Sequence, residues 1–424
     1  MINRRSFGFC MLAKWPAVAA AVSLLAVVPA TAQTANTKPI KIGILAPYSG
    51  VFAAFGPKVI EAPIRLYLQQ HGNKIGGRPV EVVVADDQSK ANVEIEKARE
   101  LIESQKVDVI IGLVNSAGAL AARDYLDKQK VITIITVAGA RELTQSRKSD
   151  SIFRLSWANG QTEPAGAVMA KLIGLKSMAG IGADYVAAHQ LLEPLIENFQ
   201  KLGGTVPLTL WSPLGTADFS SYIAQIKEVS GKVDAVSPML FGADGVRFFN
   251  QYREFGIKTP LFVFGDVTEQ TTFLDQVGEA AIGTKAYWNY SPYLDNPVNN
   301  EFRVAYKKAF DRLPGAFSFH AYAAMQFLEA AVTQNKGDIN NFEGMKKSLE
   351  TTVIESPAGP LSFDKDHNVV HNIYLTEVRK GPDGIVAQIP MGPMITNVGQ
   401  YQTLEEAQKN LTDIKTFTES QKKK

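Results

Sequence analysis

Cysteine is nearly absent from this chain of 424 residues, and neither sign of charge is in clear excess. The single Cys10 excludes an internal disulfide and a cysteine-rich zinc site. The 44 basic residues nearly balance the 42 acidic ones, so the net charge is +2 and no basic surplus favours a nucleic acid as partner. The hydrophobic share of 46% is ordinary for a globular protein and excludes a disordered or fibrous chain.

Motifs for nucleotides and metals are missing as well. The chain contains neither G-x-G-x-x-G nor a Walker P-loop. Asp364 starts a segment like a calcium loop, but Val369 and Leu375 stand where that loop needs glycine and glutamate. His367 and His371 are four residues apart in an expected strand–turn–strand, which holds their side chains far from each other. We therefore expect no metal and no cofactor.

An apolar run near the N-terminus has the pattern of a secretory signal peptide, which we place at residues 1–32. Arg4 and Arg5 make the start basic, residues 15–29 are almost wholly apolar, and Ala-Thr-Ala at 30–32 suits a signal peptidase. The run is shorter than the roughly 20 residues that cross a bilayer, so cleavage is favoured over a membrane anchor. We expect export to the periplasm, by the Sec or the twin-arginine route, of a mature chain without cysteine.

Beyond residue 40, short Val/Ile-rich runs alternate with amphipathic stretches. Continuous apolar runs are typical of parallel strands covered on both faces, and their alternation with helices predicts an α/β fold with doubly wound parallel sheets. The pattern restarts near residue 160, which indicates two lobes of similar architecture. The predicted strands are 40–46, 80–85, 107–112, 131–136, 178–183, 206–211, 233–240 and 260–264. The predicted helices include 91–104, 219–229, 245–255, 298–310, 316–334 and 341–350, and a polar tail from Leu404 is expected to form a helix that frays.

Ser116 is a candidate functional residue under two interpretations, as a catalytic nucleophile or as part of an anion-binding site. It follows a predicted strand and begins a helix, as the nucleophile of a G-x-S-x-G elbow does, but Val114 stands where the elbow needs its first glycine. The other interpretation makes Ser116 the cap of that helix, whose free N–H groups face a ligand anion. We expect no catalytic residue and keep a serine hydrolase built on Ser116 as an alternative.

Four aromatic residues cluster where predicted strands end: Phe55, Trp157, Tyr185 and Phe241. Each one alone is explained by core packing. Together they indicate a ligand site, because open α/β sheets bind ligands beyond the carboxyl ends of their strands.

Several segments together resemble one family, the branched-chain-amino-acid-binding proteins, which are type I periplasmic solute receptors of ABC importers. The resemblance covers roughly residues 40 to 395. The segments that carry it are Ile-Lys-Ile-Gly-Ile-Leu-Ala-Pro-Tyr-Ser-Gly at 40–50, Ala-Phe-Gly at 54–56, 76–87, 107–112 and 216–220.

This resemblance implies two lobes joined by three crossovers that close on a small solute. The crossovers are expected near 157–160, 282–285 and 372–375. The first lobe then comprises 38–158 plus 284–374, and the second comprises 159–283 plus 375–424. The implied partner is an inner-membrane ABC permease, the implied state is a monomer, and the implied function is delivery of the solute. A ligand-sensing receptor domain on the same fold is the other possibility.

The resemblance also implies the site residues. The ligand carboxylate should meet Ser116 and the backbone amides of 138–140, that is Ala138, Gly139 and Ala140. Phe55 should cover the ligand from the first lobe, and Tyr185, Phe241 and Asp266 from the second.

This chain departs from the family at two of the implied positions. Asn159 stands where amino-acid binders have an aspartate for the α-ammonium, and Ala140 stands where they have a threonine. Trp157 adds a large aromatic beside the first crossover. These departures predict a small organic carboxylate, amino-acid-like or aromatic, with an aromatic acid preferred to leucine or valine.

Overall fold

The computed structural model describes residues 38–50 and 52–421, which fall within one compact unit. The predicted signal peptide and the last three lysines lie outside the described residues. Within them, the predicted strands and helices are found at or near their expected positions, and the chain is mixed α/β.

The strands are numbered in chain order. They are β1 (Ile40–Ala46), β2 (Lys74–Ile75), β3 (Arg78–Asp86), β4 (Val109–Gly112), β5 (Ile132–Ile135), β6 (Ile152–Arg154), β7 (Ser177–Ala183), β8 (Thr205–Ser212), β9 (Ala235–Met239), β10 (Phe262–Phe264), β11 (Lys285–Trp288), β12 (Ile354–Ser356), β13 (Gly359–Phe363), β14 (Val369–Lys380), β15 (Val386–Val398) and β16 (Leu411–Asp413).

The helices are numbered in the same way. They are α1 (Ala62–Gln70), α2 (Ala91–Arg99), α3 (Ser116–Gln129), α4 (Glu163–Leu172), α5 (Val186–Lys201), α6 (Ser220–Val229), α7 (Gly242–Glu254), α8 (Asp275–Val277), α9 (Pro297–Phe310), α10 (Ala316–Gln334), α11 (Phe342–Thr351), α12 (Leu404–Lys409) and α13 (Ile414–Gln421). Short π-helices are Gly56–Glu61, Glu100–Ser104 and Gln270–Leu274, and short 3₁₀ helices are Arg141–Thr144, Gly265–Thr268 and Gly278–Ala281.

The first sheet has the order β2-β3-β1-β4-β5-β6 and is parallel except for the β2–β3 pair. β1 lies inside the sheet, with Ile42 and Ile44 on one face and Leu45 on the other all fully buried. A strand buried on both faces explains why the sequence of β1 is continuously apolar. The order reverses on the two sides of β1, so the carboxyl ends of β1 and β4 form a topological switch point.

The second set of strands begins with β8-β7-β9, all parallel. A bridge between Val236 and Leu261 links β9 to the start of β10, which pairs in parallel with β11. β11 then pairs antiparallel with the long β14, and β14 with β15. This arrangement continues the second sheet as far as the C-terminal part of the chain.

Three segments connect the two sets of strands. The first runs from β6 to α4 and the second from β11 to α9. The third leads into β14: an isolated bridge joins Arg154 at the end of β6 to Asn368, and β14 then pairs with β11 through 374–377. Because β11 pairs with β10, residues 285–288 lie in the second sheet, whereas the sequence placed them in the first lobe. We therefore propose 289–296 for the second crossover in place of 282–285.

The C-terminal tail differs from its prediction of one fraying helix. α12 begins with a capping box between Thr403 and Glu406, β16 pairs with β15, and α13 follows. The strand pairing anchors the tail, which the polar sequence from Leu404 onward does not reveal. The first helix changes from π to α geometry one residue before Pro63, which has no N–H to donate within the helix.

Candidate functional site

The start of α3 corrects the predicted role of Ser116. The cap is Asn115, whose Oδ1 accepts the N–H groups of Ala117 at 2.9 Å and Gly118 at 3.4 Å. Asn115 has extended backbone geometry, as a cap requires, whereas Ser116 is already the first helical residue. Both residue types are good caps, so only the backbone decides between them.

Ser116 instead joins α3 to the loop after β5. Its Oγ accepts the N–H groups of Gly139 and Ala140, each at 3.2 Å, and the N–H of Ala138 donates to Leu113 O at 3.0 Å. The amides that were expected to bind a carboxylate are thus used inside the protein. A hydroxyl that accepts two bonds still has one proton to donate.

Gly139, Trp157 and Asn159 are in direct contact. The N–H of Asn159 donates to Gly139 O at 2.9 Å, and Trp157 Nε1 donates to Asn159 Oδ1 at 3.0 Å. A Cβ added to Gly139 would lie 2.5 Å from Asn159 Oδ1, so only glycine permits this approach. Asn159 Nδ2 donates to Gln190 Oε1 at 3.1 Å, and the amide of Asn159 therefore has protein partners at both ends.

An aromatic wall adjoins this group. Its members are Phe55, Trp157, Phe264, Trp288 and Phe317. The ring centre of Trp157 lies 5.4 Å from Phe264, 5.3 Å from Trp288 and 6.0 Å from Phe317, and Phe317 lies 5.2 Å from Phe55.

The sequence predicted two members of the wall and missed three. Phe264 ends a predicted strand, so the rule that found Tyr185 could have found it. Trp288 ends β11, a short strand that was not predicted. Phe317 lies in a long buried helix, where the spacing of apolar residues indicates only that it packs in the hydrophobic core.

The second sheet contributes Tyr185, Phe241 and Asp266. Tyr185 follows β7 and Phe241 follows β9, and both are half-buried and pack against the hydrophobic cores on either side. Asp266 follows β10 and is half-buried. Burial, with the neighbouring Glu269 charge, raises the pKa of Asp266 to about 8, so its carboxyl group is largely neutral at pH 7. A neutral carboxyl group can donate a hydrogen bond as well as accept one.

Arg141 brings positive charge to the same place, and the sequence analysis missed it. It follows Ala140, is half-buried, and donates from Nη2 to Gln190 O at 3.3 Å. Its Nε is buried without a hydrogen-bond partner among the described residues. The sequence did offer one signal for Arg141, because it directly follows residues 138–140, the segment expected to bind the ligand carboxylate.

The described histidines do not complete a serine triad. The hydrogen bonds of Ser116 Oγ in the described chain are the two to main-chain amides, and none joins it to a histidine. His320 Nδ1 contacts Thr136 O at 3.0 Å, and its Nε2 accepts from Asn289 at 2.8 Å.

His367 and His371 have separate surroundings. His367 contacts Glu350 at 2.9 Å, whereas His371 contacts Asn289 at 3.4 Å. Across residues 38–50 and 52–421, no group of three or more His, Cys, Asp or Glu side chains is arranged to hold a metal ion. Over the same residues, none of the helices combines the length and the apolar character needed to span a bilayer.

Comparison with known proteins now identifies the arrangement. A family profile described as periplasmic binding protein matches residues 39–383. The chain belongs to the periplasmic binding protein family. This periplasmic binding protein is 31% identical over 379 residues to Leu/Ile/Val-binding protein homolog 6 of Brucella melitensis, a match that covers 86% of this chain and 94% of the relative.

Solved structures agree with this assignment. An ABC transporter substrate-binding protein from Sphaerobacter thermophilus is 32% identical with a TM-score of 0.80, and the match covers 86% of this chain and 99% of the other. A solute-binding protein of an ABC transporter from Rhodopseudomonas palustris BisB5, solved with 3,4-dihydroxybenzoic acid, is 29% identical with a TM-score of 0.79 and the same coverage. The predicted family and fold class are confirmed, and the protein is a periplasmic solute-binding protein of the ABC-transporter type. That family implies a small-molecule ligand and a permease partner, and these relatives are substrate-binding proteins rather than enzymes.

Proposed function

We propose that this periplasmic binding protein captures a small organic carboxylate, an aromatic acid in preference to a branched-chain amino acid, and delivers it to an inner-membrane ABC permease. The observation that carries the proposal is the aromatic wall around Trp157. Flat apolar side chains suit an aromatic ring, and a few polar groups at one end suffice to orient it.

The carboxylate end of the solute would lie at the start of α3. Ser116 has a hydroxyl proton to donate, and the N-terminus of this 14-residue helix carries partial positive charge. Arg141 adds a full charge beside the same loop. These groups favour an anion where the family resemblance places the ligand carboxylate.

The other positions of the proposed site offer no charged partner for an ammonium group. Asn159 has no formal charge, and its amide is already bonded to Trp157 and Gln190. Asp266 is largely neutral at pH 7 because its pKa is about 8. A cation that loses its water without a charged partner is strongly destabilised. A phenolic hydroxyl, by contrast, can exchange a hydrogen bond with a neutral Asp266.

The relative from Rhodopseudomonas palustris supports this ligand class, since its structure contains 3,4-dihydroxybenzoic acid and it is 29% identical to this chain. The same proposal includes export through a cleaved signal peptide, a monomeric state, and lobes limited by the crossovers near 157–160, 289–296 and 372–375. N-terminal sequencing of the secreted chain tests the cleavage.

A thermal-shift panel tests the ligand class. Benzoate, 4-hydroxybenzoate and 3,4-dihydroxybenzoate should raise the melting temperature more than leucine, isoleucine or valine. A ligand at about a hundred times its dissociation constant stabilises the fold by about 2.7 kcal/mol, which such a panel resolves. The proposal is wrong if the branched-chain amino acids stabilise the protein and the aromatic acids do not.

The Asn159→Asp variant tests whether position 159 selects against a ligand with an ammonium group. It restores the family's carboxylate while keeping an acceptor for Trp157 Nε1, so leucine should gain affinity relative to benzoate. An Asn198→Asp variant on α5, outside the site, is the matched control and should leave the order of ligands unchanged. An unchanged order in Asn159→Asp would show that position 159 does not select against an ammonium.

A further inference from the structure

Glu269 is a buried acid on the side of the second sheet, just after β10. Its Oε2 accepts the N–H groups of Thr271 at 2.7 Å and Thr272 at 3.0 Å, and the Thr272 hydroxyl at 3.2 Å. Its Oε1 is buried and has no hydrogen-bond partner among the described residues, and the whole residue is 1% exposed. An unpartnered carboxylate oxygen in the interior is costly, so the burial of Glu269 carries a free-energy penalty when it is ionised.

The atoms that cover Oε1 come from the other lobe. Oε1 lies against the main chain of Gly315, so closely that a Cβ on Gly315 would overlap it. Gly315 precedes α10, and α10 packs on α1 and β4 of the first lobe. The contact therefore exists only when the two lobes are together. It lies beside Phe317 of the aromatic wall.

Glu269 does not border a space that could hold a solute. The cavity between Glu269, Trp288, Tyr290 and Gly315 has a volume of about 10 Å³. Ligand pockets are at least ten times larger. An effect of Glu269 on solute binding must therefore act through closure rather than through contact.

The titratable groups around Glu269 do not neutralise it. Asp266 and Asp275 face it from its own lobe, the phenol of Tyr290 from the proposed second crossover, and the phenol of Tyr306 from the first lobe. The cations Lys58 and Arg312 of the first lobe act on Asp275. No ion pair joins Glu269 to a base within the described chain. Burial therefore dominates and raises the pKa of Glu269 to about 7.

On the basis of the proposed cleft-closing function, we propose that Glu269 is a positioning residue that couples closure to the uptake of one proton, so that acidic conditions favour the closed state. In an open cleft Glu269 would meet water and ionise near the ordinary pKa of about 4.3. Between that value and about 7, closing binds a proton. The equilibrium for closure then weakens by up to about tenfold per pH unit as the pH rises, and it levels off above pH 7.

The test is the radius of gyration of the ligand-free protein, measured by small-angle X-ray scattering at pH 5.5 and pH 8. The wild-type protein should expand at pH 8. Glu269→Gln has the same shape and can still accept the two amide bonds, so it should fold and stay compact at both pH values. Glu254→Gln, an exposed acid on α7, should behave as the wild type. The proposal fails if the wild type and Glu269→Gln respond alike to pH.

Gly315 provides a second and independent variant. Its backbone is extended, so alanine is tolerated there without strain. Gly315→Ala places a methyl group where Oε1 lies and should keep the protein expanded at both pH values. Combining it with Glu269→Ala removes the clash and should restore compaction. A compact Gly315→Ala protein would contradict the proposed contact. If no acid of the thermal-shift panel binds, the proposed function fails, whereas this pH response does not depend on a ligand.

Discussion

Ser116 Oγ accepts two main-chain hydrogen bonds and is proposed to contact the ligand carboxylate, so its removal should test both roles. Ser116→Ala leaves the N–H groups of Gly139 and Ala140 without their acceptor, which should lower the free energy of unfolding by about 1–3 kcal/mol. The affinity for an aromatic acid should fall only modestly, because the freed amides can bind the carboxylate directly. Chemical denaturation and titration calorimetry measure the two effects.

Ser221→Ala is a suitable control, because Ser221 also lies in the first turn of a helix but is exposed on α6. It should change neither quantity. An esterase activity that disappears in Ser116→Ala would reverse the assignment and make Ser116 a nucleophile.

The residue scale also shows what the sequence can predict about the site. Trp157 and Asn159 were identifiable because they lie at a crossover that the family resemblance implies, and Gly139 because the resemblance implies a carboxylate-binding amide there. The structure brings the three residues into contact. The choice of Asn115 over Ser116 as cap could not be predicted, since both side chains suit a cap and only the backbone geometry at the start of α3 decides. Phe317 could not be predicted either, because the interior of a buried helix gives no signal of a ligand.

At the scale of helices and strands, prediction and structure agree where the apolar pattern in the sequence is long and regular. β1 and α10 have the predicted limits, because one is a continuous apolar run and the other a long periodic one. β11 and β16 were missed, since both are short and their existence depends on pairing with β14 and β15. The π-helical turn at Glu100–Ser104 lies inside the predicted helix 91–104, where sequence periodicity does not separate π from α geometry.

Two buried histidines make the stability of the fold depend on pH. His320 on α10 and His371 on β14 both contact the amide of Asn289, which lies in the proposed second crossover. Burial lowers the pKa of each histidine to about 3, below the value of about 6.5 in an unfolded chain. The unfolded state therefore binds protons first, and the histidines' contribution to stability is complete above pH 6.5 and declines as the pH falls toward 3.

We expect His320→Gln to reduce this decline. Each such histidine lowers the free energy of unfolding by about 1.4 kcal/mol per pH unit below 6.5, so the variant should show a shallower loss between pH 6.5 and 5 in urea denaturation. His189→Gln is the control, because His189 is on the surface and its pKa is raised by hydrogen bonds to Asp184 and Glu193. Equal slopes for wild type and His320→Gln would show that His320 is not buried in its neutral form.

At the scale of the whole molecule, the proposed function requires two lobes that close on their solute. In the aromatic wall, Phe55 and Phe317 fall in the predicted first lobe and Phe264 falls in the predicted second lobe. A solute between them can favour closure because it contacts both sides at once, and a ligand shifts a conformational equilibrium only by such differential contact. In the proposed function, the Ser116 hydroxyl and Arg141 hold the carboxylate of either ligand, and the lack of a charged partner for an ammonium group favours an aromatic acid over a branched-chain amino acid.

Small-angle X-ray scattering with and without solute tests whether an aromatic acid closes the two lobes. At pH 8, where Glu269 favours the open state, saturating 4-hydroxybenzoate should reduce the radius of gyration, and leucine at the same concentration should leave it unchanged. A radius of gyration that stays constant with 4-hydroxybenzoate and falls with leucine would show that the lobes close on a branched-chain amino acid and not on an aromatic acid.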